Sequence, residues 1–560
     1  MKMTGERNPA AAVDEAARRD APVLELQGLT IALPAGGGRP AAVRDLSLAI
    51  APGEVACLLG AAGAGKSTVA DAVLGLLAPA LHLDRGRILF AGEDVTRAAP
   101  ARLRALRGAG VSLLRPEPAA ALDPLLTCGQ QLELLLRQRT RLARAARRER
   151  ALTLLAEMRL PGPERIAARH PHQLGRDERL RVLTALALAL DPALLVADDP
   201  MRGLDVPAQA AFVALVRELQ RRRGMALLWL GDDFAVAAAL AQRVCVLHRG
   251  EAIEAGAPRA LLEHAQHEHT RALVAALPRL QARARPANPQ APVVLRVSEL
   301  AMTYRHGRLP GRRREVQALE GVSFEVHRGR TLGLVGVAGS GKSTIARCVA
   351  RRLQPSAGTI RLGRDDITQF RGAEARPLLR RVQMLLPDHG RLLDPQRTVR
   401  EALIEGPLNF GMPRDLAEDR ARDLLELVQL PADAFERPAQ RLGAVERQCV
   451  VIARALMLEP ELLVADEVCS TLDLPAQARL RALFELINRR LPVALLFLTH
   501  DLRIASQVCD EIAVLCAGEI VEQGPVDRVC SDPQHECTRA LLAAARAPGL
   551  ALDVREPVKI

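Results

Sequence analysis

The sequence predicts an α/β fold built twice in tandem, and three observations carry the prediction. A glycine-rich segment, GAAGAGKST at 60–68, directly follows the apolar run EVACLLG and recurs as GVAGSGKST at 336–344 after TLGLVG. Late apolar runs, ALLVADD, MALLWLG and RVCVLHRG in the first copy, read as buried parallel strands. The two copies then stay in register: LLVADD at 194–199 returns as LLVADE at 462–467, GLDVPAQA at 203–210 as TLDLPAQA at 471–478, and QHEHTRAL at 266–273 as QHECTRAL at 534–541.

Each copy opens on strand-like alternation, VLELQGLTIAL and VLRVSELAMTY, followed by the short apolar strand that feeds the glycine segment and a helix. A middle region rich in helix formers, QLELLLRQRTRLARAARRERALTLLAEM in the first copy, predicts a helical insert in the α/β core. The join, ALPRLQARARPANPQAPVVL at 276–295, has the Pro, Ala and Arg content and the lack of periodicity of a linker. The expected organisation is a disordered tail over 1–22, a first domain over 23–280, a linker over 281–293, a second domain over 294–547 and a tail over 548–560.

A chain of 560 residues, 49% hydrophobic and 25% charged, is long enough for two to four cores. Even its most apolar run, VLTALALAL, is followed at once by Asp191 and Pro192, so no stretch is long enough to span a bilayer. The first 22 residues mix both charge signs and lack the apolar block of a secretory signal, so a cytoplasmic protein is the expectation. Ten cysteines without a CxxC pair argue against a zinc site or a disulfide framework; Cys530 and Cys537 come nearest to a cluster, with helix packing as the plain alternative. The net charge of +12 is compatible with nucleic acid or an anionic membrane, but arginine is spread along the whole chain as a general bias. Lysine is the informative residue. Only Lys2, Lys66, Lys342 and Lys559 stand among 77 basic residues, and two of the four sit in the glycine segments, where a compact ammonium is required.

GxxxxGK[ST] after an apolar strand is a phosphate cradle. Gly60, Gly63 and Gly65, with Gly336, Gly339 and Gly341, let successive backbone N–H groups turn toward phosphate at a helix N-terminus. Lys66 and Lys342 neutralise phosphate oxygens, Ser67 and Ser343 hold Mg²⁺, and Thr68 and Thr344 complete the motif. The second element is an acid pair at a strand's C-terminal end, Asp198–Asp199 and Asp466–Glu467. Its first carboxylate suits Mg²⁺, and Asp199 or Glu467 is placed to polarise an attacking water.

With these motifs the chain resembles the ATP-binding subunits of ABC transporters, most closely the fused two-domain ATPases of bacterial peptide and nickel importers. The resemblance covers about residues 23–547. It rests on the two glycine loops and acidic strand ends, PHQL at 171–174, the D-loop residues Asp205 and Asp473, FLTHD at 497–501, and DPQHECTRALL near the end. It implies two tandem P-loop NTPase domains of ABC type, each with a RecA-like core and a helical subdomain. It further implies ATP and Mg²⁺ as ligands, two membrane permeases and a solute-binding protein as partners, and a peripheral position on the cytoplasmic side of the bacterial inner membrane. In the family two such domains pair head to tail, each ATP lying on one glycine loop and capped by the other domain's LSGGQ signature.

The chain departs from that pattern in ways that separate its halves. The signature positions read Leu174, Gly175, Arg176, Asp177 and Glu178 in the first copy, and Leu442, Gly443, Ala444, Val445 and Glu446 in the second; neither has the serine hydroxyl. Two carboxylates thus stand where an anion should dock, with Arg176 as the expected offset, or the segment is a plain helix start with acids favourable to the dipole. Pro116 and Pro387 occupy the family's Q-loop glutamine positions and offer no side-chain donor or acceptor. The switch histidine survives only as His500, Asp232 replacing it in the first copy. Tyr304, the only tyrosine, is the candidate for adenine stacking, or packs in the core, and Leu33 is its counterpart.

The function expected is an ATP-hydrolysing motor for an importer of peptides or similar small solutes, with a weak site on Lys66 and an active one on Lys342. A non-hydrolysing assembly or regulatory subunit is the first alternative. A tandem ABC protein acting on ribosomes or DNA is the second; the chain lacks that class's long charged linker and zinc cysteines, so no nucleic-acid partner is expected.

Overall fold

The alternating runs form antiparallel sheets and the unbroken apolar runs form buried parallel strands in the computed structural model, which describes residues 21–33, 41–115, 118–281, 291–306, 314–370, 375–387, 392–470 and 472–546. The chain divides between Leu277 and Pro278 into two compact units.

In the first unit, β1 (Leu24–Ala32), β2 (Ala41–Ile50) and β3 (Val55–Leu59) precede helix α1 (Lys66–Val73). Then come β4 (His82–Phe90), β5 (Glu93–Asp94) and β6 (Val111–Leu114). The helical insert holds α2 (Cys128–Arg139), α3 (Arg144–Glu157) and α4 (Arg176–Leu188), and the chain returns through β7 (Leu194–Asp198), β8 (Ala226–Gly231), β9 (Arg243–His248) and β10 (Glu251–Gly256). The strands make two sheets, β2-β1-β4-β5 and β10-β9-β3-β8-β7-β6. In the second sheet β3 runs parallel to β8 and β9, and β7 parallel to β8 and β6. Only β10 is antiparallel to its neighbour.

Burial follows the patterns that predicted these strands. Leu24, Leu26, Leu29 and Ile31 of β1 are buried while the residues between are not, because one face meets the core. Every residue of β3, β7 and β8 is buried, since helices cover one face of the parallel sheet and α1 with the antiparallel sheet covers the other. Each fully buried leucine there contributes about 1.5–3 kcal/mol. Thr127 caps α2 by accepting the Gln130 N–H, and Gln130 returns the contact, which fixes where the insert begins.

The second unit repeats the plan. Strands β11 (Val293–His306), β12 (Arg314–His327), β14 (Ala357–Leu362) and β15 (Asp365–Asp366) form the antiparallel sheet. The second sheet runs β16 (Val382–Leu385), β17 (Leu462–Asp466), β18 (Ala494–Thr499), β13 (Thr331–Val335), β19 (Glu511–Cys516) and β20 (Glu519–Pro525). Helix α5 (Lys342–Val349) follows β13, α6 (Ala444–Leu456) precedes β17, and α7 (Glu536–Arg546) closes the unit.

β11 starts at Val293, and residues 279 and 281 already bond within the second unit, the Gln281 N–H donating to Ser506 Oγ at 3.3 Å and Gln507 donating to the Arg279 carbonyl at 2.7 Å. Most of the linker, and nearly all of both tails, lie outside the described residues. Cysteine chemistry differs from the expectation, because Cys537 is disulfide-bonded to Cys516 and Cys530 is a separate thiol. The fold brings the end of β19 against the first turn of α7, a long-range pairing that spacing does not reveal. At the equivalent place in the first unit the His248 and His269 rings lie 3.7 Å apart. Among the described residues no helix is long and apolar enough to cross a membrane.

Candidate functional site

In each unit the glycine loop joins a central strand to a helix, β3 to α1 and β13 to α5, so its backbone faces the strand ends of the parallel sheet. Gly65 and Gly341 hold φ of 109° and 110°, and a Cβ there would stand 2.6 and 2.7 Å from the carbonyls of Ala42 and Ala318. The loop therefore passes so close to β2 and β12 that only glycine fits. At Gly63 and Gly339 a Cβ would meet nothing within 4 Å, leaving the mouth of the cradle open for a phosphate chain.

The lysines fold back over this mouth. Lys342 Nζ donates to the carbonyls of Gly336 at 2.6 Å and Val337 at 2.9 Å, and Lys66 Nζ donates to those of Gly60 and Ala61. Burial pulls the Lys342 pKa down, with the Glu467 carboxylate 3.9 Å away opposing it. Ser343 Oγ donates to Asp466 Oδ1 at 3.1 Å, and Ser67 makes the equivalent contact with Asp198. Burial raises the pKa of both aspartates, and the serine contact counters part of that rise. Hydroxyl and carboxylate thus stand together, a hard-oxygen pair that fits a divalent cation.

The second acid of each pair sits on a strained backbone: Asp199 has φ 43° and Glu467 has φ 51°, in the left-handed region. Both turns share the same ladder, Asp199 N–H donating to Leu230 O at 2.8 Å and Glu467 N–H to Leu498 O at 3.1 Å. The side chains then diverge. Glu467 Oε2 meets His500 Nδ1 at 2.8 Å. Burial acts to lower the His500 pKa, but the charge and hydrogen bond of Glu467 outweigh it, so the imidazole titrates above its ordinary range. In the first unit Asp199 Oδ2 instead accepts from Arg202 Nε at 2.8 Å and Nη2 at 2.6 Å. Asp232 stands where the histidine would, just past β8, and the next residue, Asp233, caps its helix as Asp501 does in the second unit.

The signature segments are the starts of α4 and α6. Of the two arrangements the sequence leaves open for Asp177 and Glu178, charge offset by Arg176 or a plain helix start, the contacts are those of a helix start, with partners other than Arg176. Asp177 is paired by Arg181, whose Nε lies 2.9 and 3.0 Å from the two carboxylate oxygens while Nη1 donates to the Met158 carbonyl at 3.1 Å. Glu178 accepts the Gly175 N–H at 2.9 Å, one half of a capping box. Arg176 turns away to donate to the Gly203 carbonyl at 2.8 Å. In α6 the cap is kept, Glu446 accepting the Gly443 N–H at 2.7 Å and lying 3.6 Å from Arg437 Nη1, while Val445 and Cys449 replace the Asp177–Arg181 pair.

The other expected residues fall on the rim. Tyr304 Oη lies 3.3 Å from Thr344 Oγ1 at the start of α5, so the lone tyrosine reaches the cradle. Asp473 caps the helix after it by accepting the Ala476 N–H at 3.0 Å, and Asp205 precedes the equivalent helix, Val206–Arg223. Pro387 follows β16, and Pro116 lies outside the described residues. Sequence reasoning missed Arg181 and Arg202, although spacings of four and three residues from an acid, as at Asp177 and Asp199, are the signal that finds such pairs.

The family model described as ABC transporter matches twice, over residues 43–202 and 319–470. A protein of Pectobacterium atrosepticum named glutathione import ATP-binding protein GsiA is 34% identical over 571 residues, covering 96% of this chain and 91% of its own length. Its namesake from Escherichia coli O157:H7 is 35% identical over 556 residues, 93% of this chain and 89% of that one. The peptidoglycan transport ATP-binding protein YejF of Agrobacterium fabrum is 34% identical, covering 94% of this chain and 96% of that one. Among solved structures, CbiO1 of Clostridium perfringens, part of an ABC transporter complex, aligns with a TM-score of 0.39 at 24% identity, covering 43% of this chain and 92% of that one.

Proposed function

The chain belongs to the ABC transporter family as a tandem ATP-binding ATPase, and from that premise we propose that it powers an importer for peptides or similar small solutes. Relatives named for glutathione import and for peptidoglycan transport support that solute class. Its partners are two integral-membrane permeases and a solute-binding protein, and it works from the cytoplasmic side of the inner membrane.

The observation that carries hydrolysis is the row Lys342, Glu467 and His500, with Lys342 Nζ 3.9 Å from Glu467 and Glu467 2.8 Å from His500. When ATP enters, Lys342 exchanges its loop carbonyls for phosphate oxygens, which releases Glu467 toward the water side of the γ-phosphate. His500 orients that carboxylate as it takes up the water's proton. Ser343 with Asp466, and Ser67 with Asp198, would hold Mg²⁺, which would offset charge on the phosphates. Tyr304, whose hydroxyl lies 3.3 Å from Thr344 Oγ1, is the residue that would stack on adenine.

The test compares ATP turnover of the full chain with its Lys342→Ala, Glu467→Gln and Lys66→Ala variants, alone and with the permeases. Loss of about a hundredfold or more for Glu467→Gln, the range of a positioned base, supports the motor. No turnover in any setting favours a non-hydrolysing regulatory subunit, the reading toward which the serine-free signatures point.

A further inference from the structure

The two units carry the same strained turn after the acid pair, and one residue in it separates their chemistry. In both, the N–H three residues beyond the acid donates to the acid's own carbonyl, Arg202 to Asp199 at 3.4 Å and Ser470 to Glu467 at 3.2 Å. The backbone thus presents residues 202 and 470 to the acid in the same way. Ser470 uses its hydroxyl on that same carbonyl, at 2.9 Å, and leaves the Glu467 carboxylate to His500. Arg202 reaches the carboxylate itself and gives two N–H donors to one oxygen.

The turn is also held in place from the signature side. Arg176 donates to Gly203 O, and its guanidinium packs so closely on Gly203 that a Cβ there would overlap it. In the second unit Ala444 stands for Arg176 and has no such reach. Asp199, one methylene shorter than Glu467, is therefore anchored by a neighbouring guanidinium on a turn that is itself clamped.

We propose that Arg202 is a positioning residue that holds Asp199 away from the attacking water, so that the first unit's cradle retains ATP and turns it over slowly. The proposal rests on the reading of the chain as an ATPase and explains its asymmetry through a charge pair and not only through a shortened side chain. The pair favours retention, because a carboxylate neutralised by Arg202 repels the triphosphate less than a bare one. It opposes hydrolysis, because an oxygen occupied by two donors is a poor acceptor for the water's proton.

The test uses the full chain with the second site silenced by Glu467→Gln, and adds Arg202→Ser, Arg202→Lys, or Arg202→Ser with Asp199→Asn. Arg202→Ser is expected to raise kcat roughly tenfold, below the full contribution of a positioned base, and to raise KM, because the bare Asp199 carboxylate then repels the triphosphate. Arg202→Lys should restore the slow rate by keeping a cation beside Asp199, and Asp199→Asn should abolish the gain. A flat response to Arg202→Ser, or a gain that survives Asp199→Asn, overturns the proposal. Fluorescence of Trp229, the chain's only tryptophan and buried in β8, reports whether the first unit still folds in each variant. The two readings fail separately. A wild type indifferent to Glu467→Gln removes the motor, whereas an Asp199-dependent gain in Arg202→Ser upholds the latch whatever the wild-type rate.

Discussion

Replacing Arg181 by leucine isolates what the charges of the first signature segment cost. Arg181 is 9% exposed; it gives one N–H to the Met158 carbonyl and meets both oxygens of Asp177, whose side chain is 35% exposed. Losing the donor to a buried carbonyl costs about 1–3 kcal/mol. Losing the ion pair adds only about 0.2–1 kcal/mol, because Asp177 regains water. Leucine recovers part of the packing of the arginine stem, which leaves a net destabilisation of about 1.5–3 kcal/mol. For a domain of this size that lowers the first unit's Tm by roughly 3–12 °C. Trp229 fluorescence follows the first unit alone, since the second unit has no tryptophan. A double-mutant cycle with Asp177→Ala should return a coupling of about 0.5–1 kcal/mol. An unchanged transition in Arg181→Leu, or zero coupling, would mean that Asp177 is not held by Arg181 and that its charge is free at the helix start.

Other perturbations follow from the same geometry. The His500 pKa is raised above 6.5 in the folded protein, so its stabilisation is fully present below about pH 6.5 and is lost as pH rises through the folded value. In Glu467→Gln both contributions of Glu467 are gone and Asp501 is left against burial and Lys342, so the slope should weaken, which hydrogen exchange of β17 peptides across pH would detect; an unchanged slope would dissociate the two residues. Gly341→Ala combines a φ of 110° with a Cβ 2.7 Å from both Ala318 O and Leu319 Cδ2 and should cost about 2–5 kcal/mol. Gly339→Ala, in open space, carries only the backbone cost of about 1–3 kcal/mol, and calorimetry that ranks the two the other way contradicts the packing described. Glu178→Ala removes the contact to Gly175 N–H and should cost the first unit about 1 kcal/mol, read as a small downward shift in the Trp229 transition.

The sequence made legible whatever is written locally. The glycine loops, the buried strands and the acid pairs each follow from residues within a dozen positions, because backbone hydrogen bonding and strand burial impose short periods. The internal repeat supplied the rest of the plan, since a motif found in one half located its counterpart in the other. Contacts made by topology stayed hidden. Cys516 meets Cys537 only because β19 and α7 converge, and Arg279 joins the second unit through Gln507, more than two hundred positions away. The partners of the signature acids were readable in principle from helical spacing, Arg181 lying one turn beyond Asp177. The left-handed backbone at Asp199 and Glu467 had no sequence signal, because Glu seldom adopts it and Asp, though more tolerant, adopts it at only a small share of its positions.

ATP turnover measured side by side for Glu467→Gln and Asp199→Asn decides most directly whether the duplicated sites have divided their work. Hydrolysis should fall about a hundredfold or more in Glu467→Gln, where the carboxylate is free to meet His500, and should change less than about twofold in Asp199→Asn, where Arg202 already occupies the side chain. Equal losses in the two variants would contradict an asymmetric motor.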